Sequence, residues 1–222
     1  MARKRKYDYV FFDLDGTVTD SVPVIMDSFR QTYMAEFGYI PRTDDDIRSY
    51  IGRPLTDCFG MHDPETARKL VETYLEINHE ALKRGEVPYF PGAREDLLEA
   101  KKAGVPFGIV TSKLKVSAEI TVKDLGMDEI FDTFFYRDDS PEGKPSPMPL
   151  IRAAEKVGIS DMSRILYVGD AMADLLCAGA AGADFAFAGW STMDKEEILS
   201  NKPQYVLQRF KDLSCIIQDT EL

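Results

Sequence analysis

Histidine, cysteine and tryptophan are scarce in this chain of 222 residues, which has two, three and one of them. No second imidazole stands at helical spacing from His62 or His79, which disfavours an imidazole metal site or a serine-histidine relay. Three widely spaced cysteines argue against a disulfide framework and against a zinc site, so buried free thiols are expected. Any catalysis must therefore rest on carboxylates.

Positive charge and long apolar runs are also lacking. Lys and Arg total 27 against 38 for Asp and Glu, and the net charge of −11 opposes binding to nucleic acid or to an anionic membrane. The basic run at residues 3–6 is short and predicts a solvated tail. No apolar stretch reaches the roughly 18 to 20 residues of a membrane span, and no secretion signal is visible, so a cytoplasmic location is expected.

Short apolar runs alternate with longer amphipathic stretches. The runs predicted as strands are residues 9–12, 105–110, 133–136, 165–168 and 185–188. The predicted helices between them are residues 93–102, 116–125, 147–157 and 171–181. Continuous apolar runs indicate strands covered on both faces, and the alternation predicts an α/β fold with a doubly wound parallel sheet. Ligands of such a sheet bind at the carboxyl ends of its strands.

The stretch 18–89 breaks this alternation, because it has helical patterns at 24–37, 43–50 and 64–84 and no convincing strand. This pattern predicts an inserted α-helical cap domain at 18–89 and a core domain formed by residues 1–17 and 90–222. Both linkers lie near the end of the first strand, where such a module can act as a lid over the site.

Two carboxylates follow the first predicted strand. Asp13 and Asp15 are two residues apart, so in an extended segment their side chains point the same way. One carboxylate can attack phosphorus while the other moves protons, and Gly16 allows a tight turn beside a phosphate. The alternative is a polar strand end with a turn, where Asp and Gly are common.

Hydroxyl and lysine side chains follow the next strands. Thr111, Ser112 and Lys113 stand where a strand gives way to a helix, and a hydroxyl, a helix N-terminus and a lysine together suit a phosphate oxygen. The alternative is that Thr111 or Ser112 only caps the helix. Lys144 precedes a proline in a loop, where a single lysine is usually solvated.

A second acidic pair follows the fourth strand. Asp170 and Asp174 are four residues apart at the start of a predicted helix, where two acids could bind a hard cation or one could cap the helix. All four elements fall at predicted strand ends, which a parallel sheet brings to one edge. Their joint occurrence predicts a phosphate site built on carboxylates and lysine.

These motifs resemble the haloacid dehalogenase superfamily of aspartate-nucleophile phosphohydrolases. The runs FDLDGTVTDS (12–21), TSK (111–113) and EGKPSP (142–147) look most like the phosphoglycolate phosphatase branch with a helical cap. The resemblance implies a phosphatase that acts on a small phosphorylated molecule through an aspartyl-phosphate. The chain departs from the family at Ala171, where members commonly carry Ser or Thr.

The resemblance implies a role for each matching residue. Asp13 would be the nucleophile, and Asp15 would protonate the leaving oxygen and later activate water. Asp13, the backbone carbonyl of Asp15, and Asp170 would hold Mg²⁺, with Asp174 in support. Thr111 and Lys144 would bind the transferring phosphoryl group, where Mg²⁺ and Lys144 offset the charge of two approaching anions.

Several alternatives stay open. A phosphomutase similar to β-phosphoglucomutase shares Asp13, Asp15 and the cap, and a pyrophosphatase or a nucleotide phosphatase falls within the hydrolase interpretation. A dehalogenase is disfavoured because Asp15 supplies an acid that it does not need, and a binding module because no catalytic group is missing.

In the predicted cap, Arg53 lies between Gly52 and Pro54 in a loop that joins two helical patterns. Caps that resemble this one reach into the site with such a loop, so Arg53 is the predicted specificity residue. A solvated surface arginine is the alternative.

Overall fold

Helices and strands alternate along the computed structural model, which describes residues 6–193 and 195–218. The described strands are β1 (Tyr9–Phe12), β2 (Phe107–Val110), β3 (Thr133–Phe135), β4 (Ile165–Gly169), β5 (Asp184–Ala188) and β6 (Tyr205–Leu207). The described α-helices are α1 (Val22–Phe37), α2 (Asp44–Arg48), α3 (Leu55–Cys58), α4 (Pro64–Lys83), α5 (Ala93–Lys101), α6 (Lys115–Asp124), α7 (Met148–Lys156), α8 (Met172–Ala181), α9 (Glu196–Ser200) and α10 (Leu213–Ile217). Within these ranges no helix is long and apolar enough to cross a membrane.

The strands of the described residues form one parallel sheet in the order β3-β2-β1-β4-β5-β6. The order reverses at β1, because the chain runs outward through β2 and β3 and then returns to β4 on the other side. This is the doubly wound topology that the alternation predicts, and the predicted fold class is confirmed. The place where the order reverses is where such sheets bind ligands.

The two faces of the sheet carry two separate apolar clusters, because side chains alternate along each strand. On β1, Val10 and Phe12 pack into the first cluster, while Tyr9 and Phe11 pack into the second. Helices α5 and α10 cover the first cluster, and α7, α8 and α9 cover the second. Burial on both faces explains why the strands are continuous apolar runs.

The strand β6 was not predicted, because it has three residues and lies at the edge of the sheet. Its first residue, Tyr205, accepts a hydrogen bond from Lys6 Nζ at 2.6 Å, and Lys6 also pairs with Asp184 at 3.0 Å. The prediction of a solvated basic tail is therefore wrong for Lys6, which is anchored to β5 and β6. Arg3, Lys4 and Arg5 lie outside the described residues.

Helices α1 to α4 lie between β1 and α5 in the chain, and they have an apolar cluster of their own. The two segments that connect them to the sheet run side by side: the Asp20 N–H donates to the Pro88 carbonyl at 3.0 Å, and the Phe90 N–H donates to the Val18 carbonyl at 3.2 Å. The predicted cap domain at 18–89 spans these helices, and its boundaries stay a prediction. Its two connections leave and return beside the end of β1.

The close packing of β1, β2 and β3 leads to a stability prediction at Gly108. Gly108→Ala should lower the free energy of unfolding in urea by about 1 to 3 kcal/mol, because a Cβ there would lie 2.8 Å from the Phe11 ring and 2.9 Å from Thr133 Cγ2. Gly179→Ala in α8 is the matched control, since its Cβ would meet no neighbouring group within 4 Å. That change should raise stability by about 0.5 to 1 kcal/mol. Equal effects of the two changes would contradict the packing argument.

Candidate active site

The carboxyl ends of the strands bring the predicted site residues together. Asp13 directly follows β1, Thr111 follows β2, and Asp170 follows β4. The Asp13 N–H still donates to the Val168 carbonyl at 2.9 Å, so the candidate nucleophile is held by the sheet hydrogen bonding between the ends of β1 and β4. Lys144 reaches the same edge from the loop before α7, and its peptide bond to Pro145 is cis. The proposed roles of these residues stay predictions, but they share one location.

Three buried carboxylates and one buried ammonium form the centre of the site. One carboxylate oxygen each of Asp13, Asp170 and Asp174 lie within 4.8 Å of one another. Lys144 Nζ lies 2.8 Å from Asp13 Oδ1 and 2.5 Å from Asp174 Oδ1, and its side chain is 4% exposed. One ammonium thus contacts two of the three carboxylates. The cluster has an excess of negative charge in a place that water barely reaches.

Burial and this excess together shift the pKa values of the cluster. Burial raises the pKa of the Asp13 carboxyl despite the attraction of Lys144. Burial and the charge of Asp174 raise the pKa of Asp170 to about 7. Burial alone would lower the pKa of the Lys144 ammonium, but the carboxylates of Asp13 and Asp174 outweigh burial and raise it. Lys144 is therefore charged at neutral pH, while Asp13 and Asp170, whose pKa values are raised, need a further cation to be fully ionised.

Two hydroxyl groups hold the Asp170 carboxylate. Thr17 Oγ1 donates to Asp170 Oδ1 at 2.8 Å, and Ser191 Oγ donates to Asp170 Oδ2 at 2.7 Å. Trp190 Nε1 in turn donates to the Thr17 carbonyl at 2.8 Å. The residue after Asp170, Ala171, has no hydroxyl, yet Asp170 has hydroxyl partners from the turn after β1 and from the segment after β5. Such partners fix the direction of a metal ligand.

Two backbone amides hold the Asp174 carboxylate. Its Oδ2 accepts from the N–H of Asp170 at 3.2 Å and from that of Ala171 at 3.1 Å, at the start of α8. The close approach requires glycine: a Cβ on Gly169 would lie 2.6 Å from the Asp174 Cβ, and one on Gly16 would collide with the Asp170 carboxylate. Gly16 also has φ +81°, which an L side chain rarely adopts.

A buried tyrosine orients the Lys144 ammonium. Lys144 Nζ donates to the Tyr167 hydroxyl at 3.0 Å, and that hydroxyl donates to the Val110 carbonyl at 2.8 Å. Burial raises the pKa of Tyr167 well above its usual value, so the hydroxyl keeps its proton. The bond links Lys144 to the end of β2, beside Thr111.

Lys113 pairs with Asp15 in this structure. Its Nζ lies 2.9 Å from Asp15 Oδ1, and both side chains are largely buried. The Lys113 N–H donates to Thr111 Oγ1 at 3.1 Å, so neither Thr111 nor Ser112 caps α6, which begins after Leu114 without a side-chain cap. Binding of phosphate by Ser112 and Lys113 stays a prediction. The second acid of the first motif is held by a lysine, not by solvent.

A cavity of about 510 Å³ opens from this edge of the sheet toward α1–α4. Asp13, Asp15 and the segment 111–113 line one side of it. Arg53 lines the other side, in the loop between α2 and α3. Arg53 is exposed, and its backbone N–H donates to the Tyr50 carbonyl at 3.0 Å. The predicted specificity residue therefore lines the same cavity as Asp13 and Asp15.

Comparisons with known proteins agree with this arrangement. A family model described as haloacid dehalogenase-like hydrolase matches residues 10–188. The chain belongs to the haloacid dehalogenase-like hydrolases. A curated relative named Pyrophosphatase PpaX, from Halalkalibacterium halodurans, is 34% identical over 94% of this chain and 95% of its own.

Solved structures show the same fold. A haloacid dehalogenase-like hydrolase from Streptococcus pneumoniae is 25% identical with a TM-score of 0.81, over 94% of this chain and 97% of its own. A predicted phosphoglycolate phosphatase from Haemophilus somnus, 20% identical with a TM-score of 0.80 over 94% of this chain and 96% of its own, is similar in fold. As a haloacid dehalogenase-like hydrolase, the chain is an enzyme of the phosphatase type.

Sequence reasoning missed the groups that hold the central residues. Thr17 lies inside the first motif, so its place in the turn after β1 was a usable signal for a contact with the site. Tyr167 lies two residues before the end of β4, on the face that also carries Phe11. Ser191 has no local motif, and only its position after β5, at the same edge of the sheet, could have indicated it.

The raised pKa of Asp170 generates a prediction about stability and pH. A carboxyl whose pKa rises from 3.8 to about 7 on folding keeps a proton that the unfolded chain loses. Its contribution to stability is complete below about pH 4 and is lost as pH rises to about 7. In EDTA, wild type should therefore lose urea stability relative to Asp170→Asn over this window. Added MgCl₂ should restore stability to wild type alone. If the difference in stability between the two proteins stays the same from about pH 4 to about pH 7, the raised pKa of Asp170 is contradicted.

Proposed function

We propose that this chain is a Mg²⁺-dependent phosphatase that hydrolyses a small organic phosphate monoester through an aspartyl-phosphate on Asp13. The observation that carries the proposal is the Asp13 carboxylate at the floor of a cavity, with Lys144 Nζ 2.8 Å from its Oδ1. A carboxylate held beside the Lys144 ammonium can receive the phosphoryl group of a dianionic phosphate monoester. Asp15 stands two residues away as an acid and base.

The donor set fits Mg²⁺. Hard divalent cations prefer carboxylate oxygens, and Asp13, Asp170 and Asp174 gather three of them within 4.8 Å. Burial, and after it the charge of neighbouring carboxylates, raises the pKa values of Asp13 and Asp170, and a bound cation would offset both effects. Asp13 and Asp170 would hold the ion, and the backbone oxygen of Asp15 would join them. Asp174 already pairs with the Lys144 ammonium at 2.5 Å, whereas the partners that hold Asp170 are neutral hydroxyls, which suits Asp174 to a supporting role.

When bound, Mg²⁺ would supply positive charge that stabilises the transferring phosphoryl group. Lys144 would contribute the second positive charge, and the Thr111 hydroxyl would donate to a phosphoryl oxygen. An Asp13 oxygen would form the bond to phosphorus while the bond to the leaving oxygen breaks, with a proton passing from Asp15 to that oxygen. Asp15 would then take a proton from water as water attacks phosphorus, and free phosphate and the Asp13 carboxylate would result.

Pyrophosphate hydrolysis is a second candidate. The observation that favours it is the 34% identity with a relative named Pyrophosphatase PpaX, over nearly the whole of both chains. The two candidates share the phosphoryl site and differ in the leaving group. Phosphate release from pyrophosphate and from a panel of phosphorylated metabolites would rank them, and isomerised sugar phosphate without free phosphate would favour a phosphomutase.

The division of roles between the two acids gives the central prediction. Asp13→Asn should remove phosphate release nearly completely, because an amide is a poor nucleophile and a weaker metal ligand. Asp15→Asn should keep Mg²⁺ affinity and slow turnover by about 10² to 10⁴. Steady-state phosphate release and Mg²⁺ titration measure both effects, and excess EDTA should abolish wild-type activity.

Beryllium fluoride with Mg²⁺ is the control for the folded site. It should raise the unfolding temperature of wild type and of Asp15→Asn but not that of Asp13→Asn, since it mimics a phosphoryl group on an aspartate. Full turnover in EDTA would exclude the metal assignment. Equal loss of Mg²⁺ affinity in both variants would exclude the separate roles of the acids.

The position of Arg53 on the cavity gives a prediction on specificity. A guanidinium can hold a carboxylate by two hydrogen bonds, each charge-assisted contact giving roughly 1.5 to 3 kcal/mol. Arg53→Ala should therefore lower kcat/KM for a phosphorylated carboxylic acid by about 10- to 100-fold, at about 1.4 kcal/mol per tenfold. An aryl phosphate without a carboxylate should change little. Equal losses on both substrates would indicate that Arg53 has a structural role. No loss on either substrate would indicate that Arg53 is a solvated surface residue.

A further inference from the structure

The wall of the cavity opposite Asp13 is apolar. Five aliphatic side chains of the helical insertion line it and are each only half-buried: Ile25, Ile51, Leu55, Val71 and Leu75. All of them pack against the apolar cluster of α1–α4 on their other side. The insertion therefore has its apolar core open toward the site.

Helical spacing accounts for this wall. On α4, Val71, Leu75 and Asn78 follow one another at intervals of four and three residues, so they form one stripe. On α1, Ile25 and Phe29 are four residues apart and form a second stripe. Both stripes line the cavity, and most of the side chains in them are apolar. The solvent face of α4 instead carries charged residues such as Glu72 and Glu76, which are exposed.

The aliphatic wall and the Asp13 carboxylate line the same cavity, and this arrangement indicates the kind of leaving group that fits. A phosphoryl group bound at Asp13 and Lys144 would direct its leaving group into a cavity of about 510 Å³, within the roughly 300 to 1,000 Å³ of pockets for drug-sized ligands. Pyrophosphate has no apolar surface, and glycolate has a single methylene. Neither would contact the aliphatic side chains, which would stay open to water.

We infer that the substrate is a phosphate monoester of an alcohol with an extended apolar body, aliphatic or aromatic, that packs against Val71 and Leu75 on α4. The inference rests on the proposed phosphatase function and names the leaving group for it. Arg53 lies at the edge of the same wall, where it would meet an anionic or polar end of that body.

A homologous series of substrates tests the inference. Ethyl, n-butyl and n-hexyl phosphate have leaving alcohols of similar acidity, so their intrinsic reactivity is nearly the same. Each buried methylene should raise kcat/KM by about threefold to fourfold, which amounts to on the order of 10²-fold from ethyl to hexyl. Phosphate release with Mg²⁺ present is the measurement. The matching alkyl phosphonates, used as competitive inhibitors, should show the same trend in Ki.

Variants on α4 connect the trend to the wall. Leu75→Asn and the nearly isosteric Val71→Thr should reduce the gain to below about twofold per methylene. A polar side chain loses its bound water when an alkyl chain packs against it, and this cost offsets the gain from burying the methylene. Leu75→Met, which keeps an apolar side chain at this position, should keep the wild-type gain per methylene. Glu76→Gln, on the exposed face of the same helix, is the matched control and should keep the full gain. Unfolding temperatures show whether each variant keeps the helical insertion folded.

The outcomes separate the two proposals. A kcat/KM that is equal across the series, in an enzyme that still releases phosphate and still needs Mg²⁺, overturns the inference and leaves the phosphatase proposal standing. A gain that survives in both Leu75→Asn and Val71→Thr also overturns it, because the apolar contact would then lie elsewhere. No phosphate release from any ester or from pyrophosphate overturns the phosphatase proposal itself, and the inference with it.

Discussion

Repulsion between buried carboxylates is the constraint on which the site depends. Asp13, Asp170 and Asp174 stand within 4.8 Å of one another, and Lys144 is the ammonium that directly contacts two of them. Such an arrangement is unfavourable without further positive charge, because burial weakens the screening by water. A rigid scaffold is needed to hold the acids in place. The strand ends, the hydroxyls on Asp170 and the backbone amides on Asp174 provide it.

The scaffold in turn depends on a sheet that is dry on both faces. Alternate side chains of β1 fill two different apolar clusters, so the strand cannot slip by one residue without exchanging its faces. Asp13 is the first residue after that strand, and its N–H still donates to the Val168 carbonyl of β4. Its position is therefore determined by packing several residues away. The glycines at 16 and 169 then let the carboxylates approach the backbone.

The regular part of the fold and the acidic centre could be predicted from the sequence, because both follow local rules. Apolar runs indicated β1 to β5, and the strand-end position of Asp13, Thr111 and Asp170 followed from the parallel topology. The edge strand β6 is too short to show a pattern. The pairing of Lys113 with Asp15, at 2.9 Å, could not be predicted, because a lysine in a phosphate motif satisfies the same pattern whether it faces the ligand or a carboxylate.

The cavity is lined by a charged surface on one side and an apolar surface on the other. Its floor carries charge that must be desolvated for a phosphoryl group to approach Asp13, and its far wall is aliphatic and belongs to α1–α4. An apolar leaving group that filled the space between them would expel water from both surfaces. Removal of water would strengthen the attraction of Lys144 for the phosphoryl group, since that attraction grows as the local dielectric falls. Recognition of the leaving group and stabilisation of charge would then depend on each other, although different parts of the chain supply them.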